Sequence, residues 1–214
     1  MHLVLVDCYD SFTHNIVQAF GILGVRTSVL TCDQATPERV LATRPQAVVL
    51  GPGPGRPESS GQLMPLAQAL PGQVPTLGIC LGHQALVAAY GGLIVRHRPV
   101  HGHAPPVYHT QTGLFEGLPQ GVPMTRYNSL VAQGLPTPLV RTAWSHDGAI
   151  MGFEHPKHPT FGVQFHPESV LSGQAGIALL ANFTKRARGW CPAKQPGQQP
   201  EYGQTAWPGD RPRR

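Results

Sequence analysis

Charge is scarce in this chain: of 214 residues only 13% are Asp, Glu, Lys or Arg, and aromatic residues make up just 7%. Part of the net charge of +5 is local to residues 191–214, which carry +2 of it, and no dense Lys/Arg patch appears, which argues against a nucleic-acid partner. Long apolar runs are missing too. None approaches the roughly 20 residues needed to cross a bilayer, so no membrane partner is expected. The opening "MHLVLVDCYD" meets an acidic residue too soon for a secretory signal, and a cytoplasmic protein is expected. Cysteine is limited to Cys8, Cys32, Cys80 and Cys191, with no C-x-x-C pair and no disulfide-like framework. Reduced thiols follow, and a zinc-thiolate centre does not.

What remains is an ordinary apolar content of 41%, enough for one α/β domain with a sizeable core. The domain is expected over residues 1–189. Beyond it, residues 191–214 hold five prolines and three glycines with almost no aliphatic side chains. Such a composition cannot offset the entropy of ordering, so 190–214 reads as a disordered tail.

Strand and helix signals alternate through the first half. "HLVLVD" (2–7) reads as a buried strand, Ser11 as the cap of a helix over 12–23, and Gly24 as its stop. "VRTSVLT" (25–31) is a second strand, Thr36-Pro37 a helix start, and "AVVLGPGPG" (47–55) a third strand that breaks into a glycine-proline loop. A helix near 60–70, a strand at 76–79 and a helix through about Tyr90 follow. This alternation predicts right-handed βαβ units and a mostly parallel open sheet with helices on both faces. After residue 92 the segments shorten, and some of the strands "LIVRH", "PVYHT", "LVRTAW", "AIMGFEH" and "TFGVQF" should be antiparallel. A last helix over 173–185 should bury Ile177, Leu180, Ala181 and Thr184. In such a sheet ligands sit beyond the carboxyl ends of the strands, where the 7–12 loop, the 51–55 loop and Cys80 all fall.

Cys80 is the residue with chemistry to offer. In "TLGICLGHQAL" it lies between strand and helix in the pattern G-x-C-x-G, with Gly78 and Gly82 flanking. That is the nucleophile-elbow spacing with sulfur in place of oxygen, and a helix N-terminus favours a thiolate. A buried, inert thiol would fit the same position. A nucleophile needs a base, and among eleven histidines His166 stands out. It ends the apolar run "FGVQF", and Pro167 holds it extended so that Glu168 falls on the same side to orient the ring. His97, His101, His103, His109, His146, His155 and His158 read as surface or loop groups. His97, His101 and His103 leave a metal-binding alternative open, although Arg98, Pro99 and Gly102 between them favour a loop. The Asn182-Phe183-Thr184 sequon lies in a helix of a chain without a signal and carries no glycan expectation.

Taken together, "DCYDSFTHN" (7–15), "GPGPGRP" (51–57), "GICLGHQA" (78–85), "TRYNSL" (125–130) and "GVQFHPES" (162–169) resemble the class I, or triad-type, glutamine amidotransferases. The likeness covers residues 2 to about 186, and within the family it is to the chorismate-utilising branch, which feeds ammonia to anthranilate or aminodeoxychorismate synthase. The resemblance implies a flavodoxin-like α/β fold and glutamine hydrolysis through a Cys80 thioester, with His166 as acid and base and Glu168 behind it. It implies Gly53, Pro54 and Gly55 around the oxyanion and substrate, beside the Leu81 N–H at the helix start, which charge development at the carbonyl would need in any case. Gln84, Ser129 and Leu130 match the glutamine-binding positions. No cofactor is implied in this chain, magnesium belonging only to the partner, a chorismate-binding synthase subunit in a heterodimer or heterotetramer. The chain departs from the branch at Cys8, usually Asn, at Asn128, usually His, and at His103, usually Lys. Asp7, Tyr9, Asp10 and Ser11 are expected to shape the crevice and the partner face. A stand-alone thiol hydrolase such as a γ-glutamyl hydrolase, or a non-catalytic regulatory relative, would explain part of the same motif set.

Overall fold

The computed structural model describes residues 1–190; Cys191 and the expected tail beyond Trp190 lie outside the described residues. Parallel strands β1 (His2–Asp7), β2 (Arg26–Thr31), β3 (Ala47–Leu50) and β4 (Thr76–Ile79) alternate with helices α1 (Thr13–Ile22), α2 (Pro37–Ala42), α3 (Leu63–Ala69) and α4 (Leu81–Ala89). Then come β5 (Leu93–His103), β6 (Pro106–His109), β7 (Val122–Pro123), β8 (Arg126–Gln133), β9 (Val140–Ser145), β10 (Ile150–Glu154), β11 (Thr160–Val163) and the closing helix α5 (Gly173–Arg188). The main sheet has nine strands in the order β2-β1-β3-β4-β11-β10-β9-β6-β7, parallel as far as β11 and antiparallel beyond it. Its first five strands follow the flavodoxin-like order, as expected. β5 and β8 form a separate antiparallel pair.

Burial on both faces explains the continuous apolar strands. In β1, Leu3 and Leu5 point into a core shared with Ile16 and Phe20 of α1 and Leu180 and Phe183 of α5. Val4 and Val6 point the other way, against Val40 of α2, Leu66 of α3 and Leu86 of α4. Successive side chains of a strand alternate between faces, so only an all-apolar strand serves two such layers. On β4 and β11 the face toward α4 carries Gly78 and Gly162, paired in register. A side chain at Gly78 would come within 2.5 Å of the Gly82 carbonyl, so these glycines let the start of α4 settle onto the sheet.

Several expectations need correction. Ser11 caps nothing: Phe12 is the N-cap of α1 without a side-chain bond. The orphan N–H groups upstream are taken by Asp7, whose Oδ1 accepts from the Tyr9 and Asp10 amides at 2.9 and 3.2 Å, and by Asp10, which accepts from the Phe12 amide at 2.8 Å. On α5 the buried face is Gly176, Leu179, Leu180, Phe183, Thr184 and Ala187, with Ile177 and Ala181 only part-buried. The rotation arises because Phe183 packs edge-on against Phe20 and Phe161. His109 is a core residue, stacked on Phe115 at 4.9 Å, and His155 is buried with its Nδ1 accepting two backbone amides. Asn182 donates to the Leu114 and Glu116 carbonyls, a structural use of that amide.

Candidate active site

Cys80 occupies the tip between β4 and α4 with φ 51° and ψ −100°, a left-handed conformation that a non-glycine residue adopts only when its surroundings impose it. The surroundings do so tightly. Cys80 N donates to Val163 O of β11 at 2.9 Å, and a Cβ on Gly82 would run into the Leu50 carbonyl of β3. The elbow read from G-x-C-x-G is therefore present, and its small flanking residues are required by backbone contacts. Leu81 is the first residue of α4, and the first N–H groups of a helix have no acceptor within it.

His166 follows β11 and is held by a bridge to Thr125, its amide donating to Thr125 O at 2.8 Å. Its carbonyl accepts from Ser172 Oγ at 2.6 Å. The ring packs in a cluster with the aromatic rings of Phe12 and Tyr127, at centroid distances of 5.5 and 5.3 Å, those two rings being 5.0 Å from each other. Nδ1 meets Glu168 Oε1 at 2.7 Å, with both side chains withdrawn from solvent. The route differs from the extended segment expected: Ser169 N returns to His166 O at 3.2 Å, so a turn, not a strand, brings the carboxylate to the ring. Among the described residues Nε2 completes no hydrogen bond. The Cys80 sulfur is near enough to act on the ring's charge. Burial alone would depress the imidazole's pKa, but the Cys80 sulfur and the Glu168 carboxylate outweigh it and hold the ring's pKa well above its ordinary value.

Cys80 opens onto a cleft of about 120 Å³ lined by Gly53, Pro54, Gly55, Leu81, Gln84 and the β8 residues Tyr127, Asn128, Ser129 and Leu130. Every residue expected around substrate thus meets at one place, with His166 and Glu168 behind the thiol. Gly53 is seated on Cys8, where a Cβ would lie 2.6 Å from both the Cβ and the carbonyl oxygen of that residue. Tyr9 is exposed, with φ 63° and its hydroxyl donating to Asp33 at 2.7 Å. His97 lies against Asp147 at 3.2 Å, while His101 and His103 are exposed. Among the described residues no group of three or more His, Cys, Asp or Glu could hold a metal ion.

Three site residues were not anticipated. Gln164, fully buried, donates through Nε2 to Cys80 Sγ at 3.7 Å and accepts from Gln84 Nε2 at 3.2 Å. A polar residue inside the apolar run "FGVQF" was the available signal. Arg126 is buried, its Nε donating to Asn128 Oδ1 at 3.0 Å. A charged residue entering a strand would have marked it, had β8 been read as one. His83, on α4 behind the elbow, is fully buried against Phe153, and burial pushes its pKa down to about 4.

A sulfur on a strained elbow, beside an imidazole that a buried carboxylate holds, has the parts of a nucleophile with its base. The profile of the Glutamine amidotransferase class-I family matches residues 4–187, and the chain belongs to that family. It is 45% identical over 188 residues to anthranilate synthase component 2 of Thermus thermophilus, covering 86% of this chain and 91% of that one. To aminodeoxychorismate synthase component 2 of Escherichia coli it is 44% identical over 187 residues, covering 86% of this chain and all of the other. The solved structure of a GMP synthase subunit from Thermoplasma acidophilum superposes with a TM-score of 0.75 at 23% identity, over 88% of this chain and 94% of that one, and shares the fold.

Proposed function

We propose that this chain is the glutamine-hydrolysing component of a chorismate-using synthase, delivering ammonia to a separate chorismate-binding subunit. The observation that carries the reading is the convergence of the Cys80 elbow, the Gly53–Gly55 loop and the Ser129-Leu130 strand on one small polar cleft. Cys80 Sγ attacks the side-chain carboxamide carbon of L-glutamine. The oxyanion lies toward the Leu81 and Gly53 N–H groups, whose fixed dipoles cost nothing to reorganise. His166 gives a proton to the departing nitrogen, the C–N bond breaks, and a γ-glutamyl thioester and ammonia result. Water then attacks the thioester as His166 takes its proton, and glutamate leaves. Glu168 keeps the ring oriented through Nδ1.

The partner assignment rests on the relatives' names, which divide between two synthases at nearly equal identity, so it covers anthranilate and aminodeoxychorismate formation alike. Free ammonia becomes ammonium in neutral water, which favours hydrolysis only when an acceptor is docked. The test is the steady-state rate of glutamate release by the chain alone and with each chorismate-binding subunit plus chorismate. Slow release alone and a clear rise with one of them is expected. Full activity alone with no association would point to a stand-alone hydrolase.

A further inference from the structure

Between the cleft wall and the nucleophile runs a chain of hydrogen bonds, part-buried at Leu130 and buried toward Cys80, whose direction is fixed at both ends. Leu130 O, a carbonyl, can only accept. It takes an N–H from Gln84 Nε2 at 3.1 Å and another from Asn128 Nδ2 at 3.0 Å. The Asn128 amide cannot be turned round, because its oxygen already accepts from Arg126 Nε, which can only donate. Gln84 must likewise point its nitrogen inward, and its second N–H goes to Gln164 Oε1 at 3.2 Å. With its oxygen so occupied, Gln164 has only its NH2 group to present to Cys80 Sγ, at 3.7 Å.

We propose that Gln164 is a positioning residue of the nucleophile: held by Gln84, its amide aims an N–H at the Cys80 sulfur and ties the thiolate to the strand that forms the wall of the cleft. A donor to an anionic sulfur is charge-assisted and favours the thiolate over the thiol. The same amide, through Gln84, locks one cleft-lining side chain so that only its Oε1 is left for a ligand. The inference rests on the reading of Cys80 as the nucleophile. The other ionisable groups facing the sulfur are His166, with Glu168 behind it, and at longer range the buried Arg126 guanidinium. All three stay in place when Gln164 is changed.

The substitutions Gln164→Glu and Gln164→Leu separate the two bonds. In the first an acceptor for Gln84 remains but the donor to sulfur is replaced by a carboxylate; in the second both bonds go. The readout is the pH dependence of Cys80 alkylation by iodoacetamide, followed on the Cys80 peptide by mass, together with kcat and KM for glutamine. In Gln164→Glu the Gln84 anchor stays, so KM should hold within about threefold while kcat falls about tenfold; a rise in its alkylation midpoint reports the new carboxylate's repulsion as well as the lost donor, so the midpoint is judged on the uncharged variants. In Gln164→Leu the midpoint should also rise, and KM should increase as Gln84 loses its anchor. Should either variant fail to fold, Gln164→Asn, one methylene shorter, withdraws the N–H from sulfur and should give the same upward shift. Folded variants whose midpoint coincides with that of the unaltered chain would overturn the proposal. Alkylation needs no glutamine turnover, so a chain that failed to hydrolyse glutamine would defeat the functional reading and leave this one to stand or fall on its own measurement.

Discussion

His166 Nδ1 and Glu168 Oε1 are 2.7 Å apart, and the side chains carrying them are 2% and 0% exposed. A buried imidazole in contact with a carboxylate has two opposing influences on its charge: burial favours the neutral ring, the partner the protonated one. Here the partners win, and the pKa of His166 lies well above its usual value.

Removing the carboxylate should weaken that side of the balance. With Glu168→Gln one of the two partners that raise the His166 pKa is lost, the Cys80 sulfur remaining, and the pKa, followed by NMR, should fall. The sign for stability follows. A raised histidine pKa contributes stability that is full below the unfolded value near 6.5 and is lost as pH rises through the folded value. The difference in unfolding free energy between the two chains should therefore be largest at mildly acidic pH and shrink toward alkaline pH. Glutaminase activity should drop in Glu168→Gln and drop further, by about 10² to 10⁴, in His166→Ala. Equal and negligible losses would remove both residues from the reaction.

Cys80→Ser should lower glutamine-dependent activity by about 10³-fold or more, because the hydroxyl is a far weaker nucleophile at neutral pH. A mixture of this variant with the synthase subunit should still form product from ammonium salt. Near-normal glutamate release would show that the sulfur is not the attacking atom.

Acid lability should trace in part to His83. Its folded pKa of about 4 lies below the unfolded value near 6.5, so the stability it contributes is present above 6.5 and lost as pH falls toward 4. The loss is of the order of 3 kcal/mol. His83→Leu, which keeps an apolar contact with Phe153, should flatten urea-unfolding midpoints between those pH values. An unchanged pH slope would assign the lability to other groups.

Gly82→Ala places a methyl group against the Leu50 carbonyl, where two backbone segments meet and neither can yield cheaply. A destabilisation of about 1–3 kcal/mol is expected, with activity falling more than folding because the elbow moves. Thermal unfolding and glutamate release on the same preparation measure the two effects. A chain unchanged in both would mean the start of α4 can retreat from the sheet.

The parts of this site that were legible in sequence are those built from short-range patterns. The apolar run of β1 and the glycines around Cys80 depend on neighbours a few residues away and appear where expected; the His-x-Glu pair meets too, though through a turn and not the extended segment expected. Gln164 was not read as a site residue because its partners, Gln84 and Cys80, lie 80 and 84 residues earlier in the chain. Ser11 failed as a cap because the helix starts one residue later, at the N-cap Phe12, and the Thr13 amide it would have served donates to the Asp10 carbonyl. β8 carries Arg126, Tyr127, Asn128 and Ser129 in succession, a polar run whose pairing with β5 comes from tertiary contact and not from alternation. His109 and His155 look like loop histidines until Phe115 and Tyr90 are placed beside them.

The backbone at Cys80 sets fitness of the fold against fitness of the catalyst. Its φ of 51° costs a side-chain-bearing residue about 1–3 kcal/mol and costs glycine nothing. Cys80→Gly should therefore relieve that strain, set against the loss of a buried side chain and the greater freedom of an unfolded glycine, and should abolish glutamate release. On grounds of backbone alone glycine is the better tenant of this corner, so the sulfur stands there at a cost to the fold.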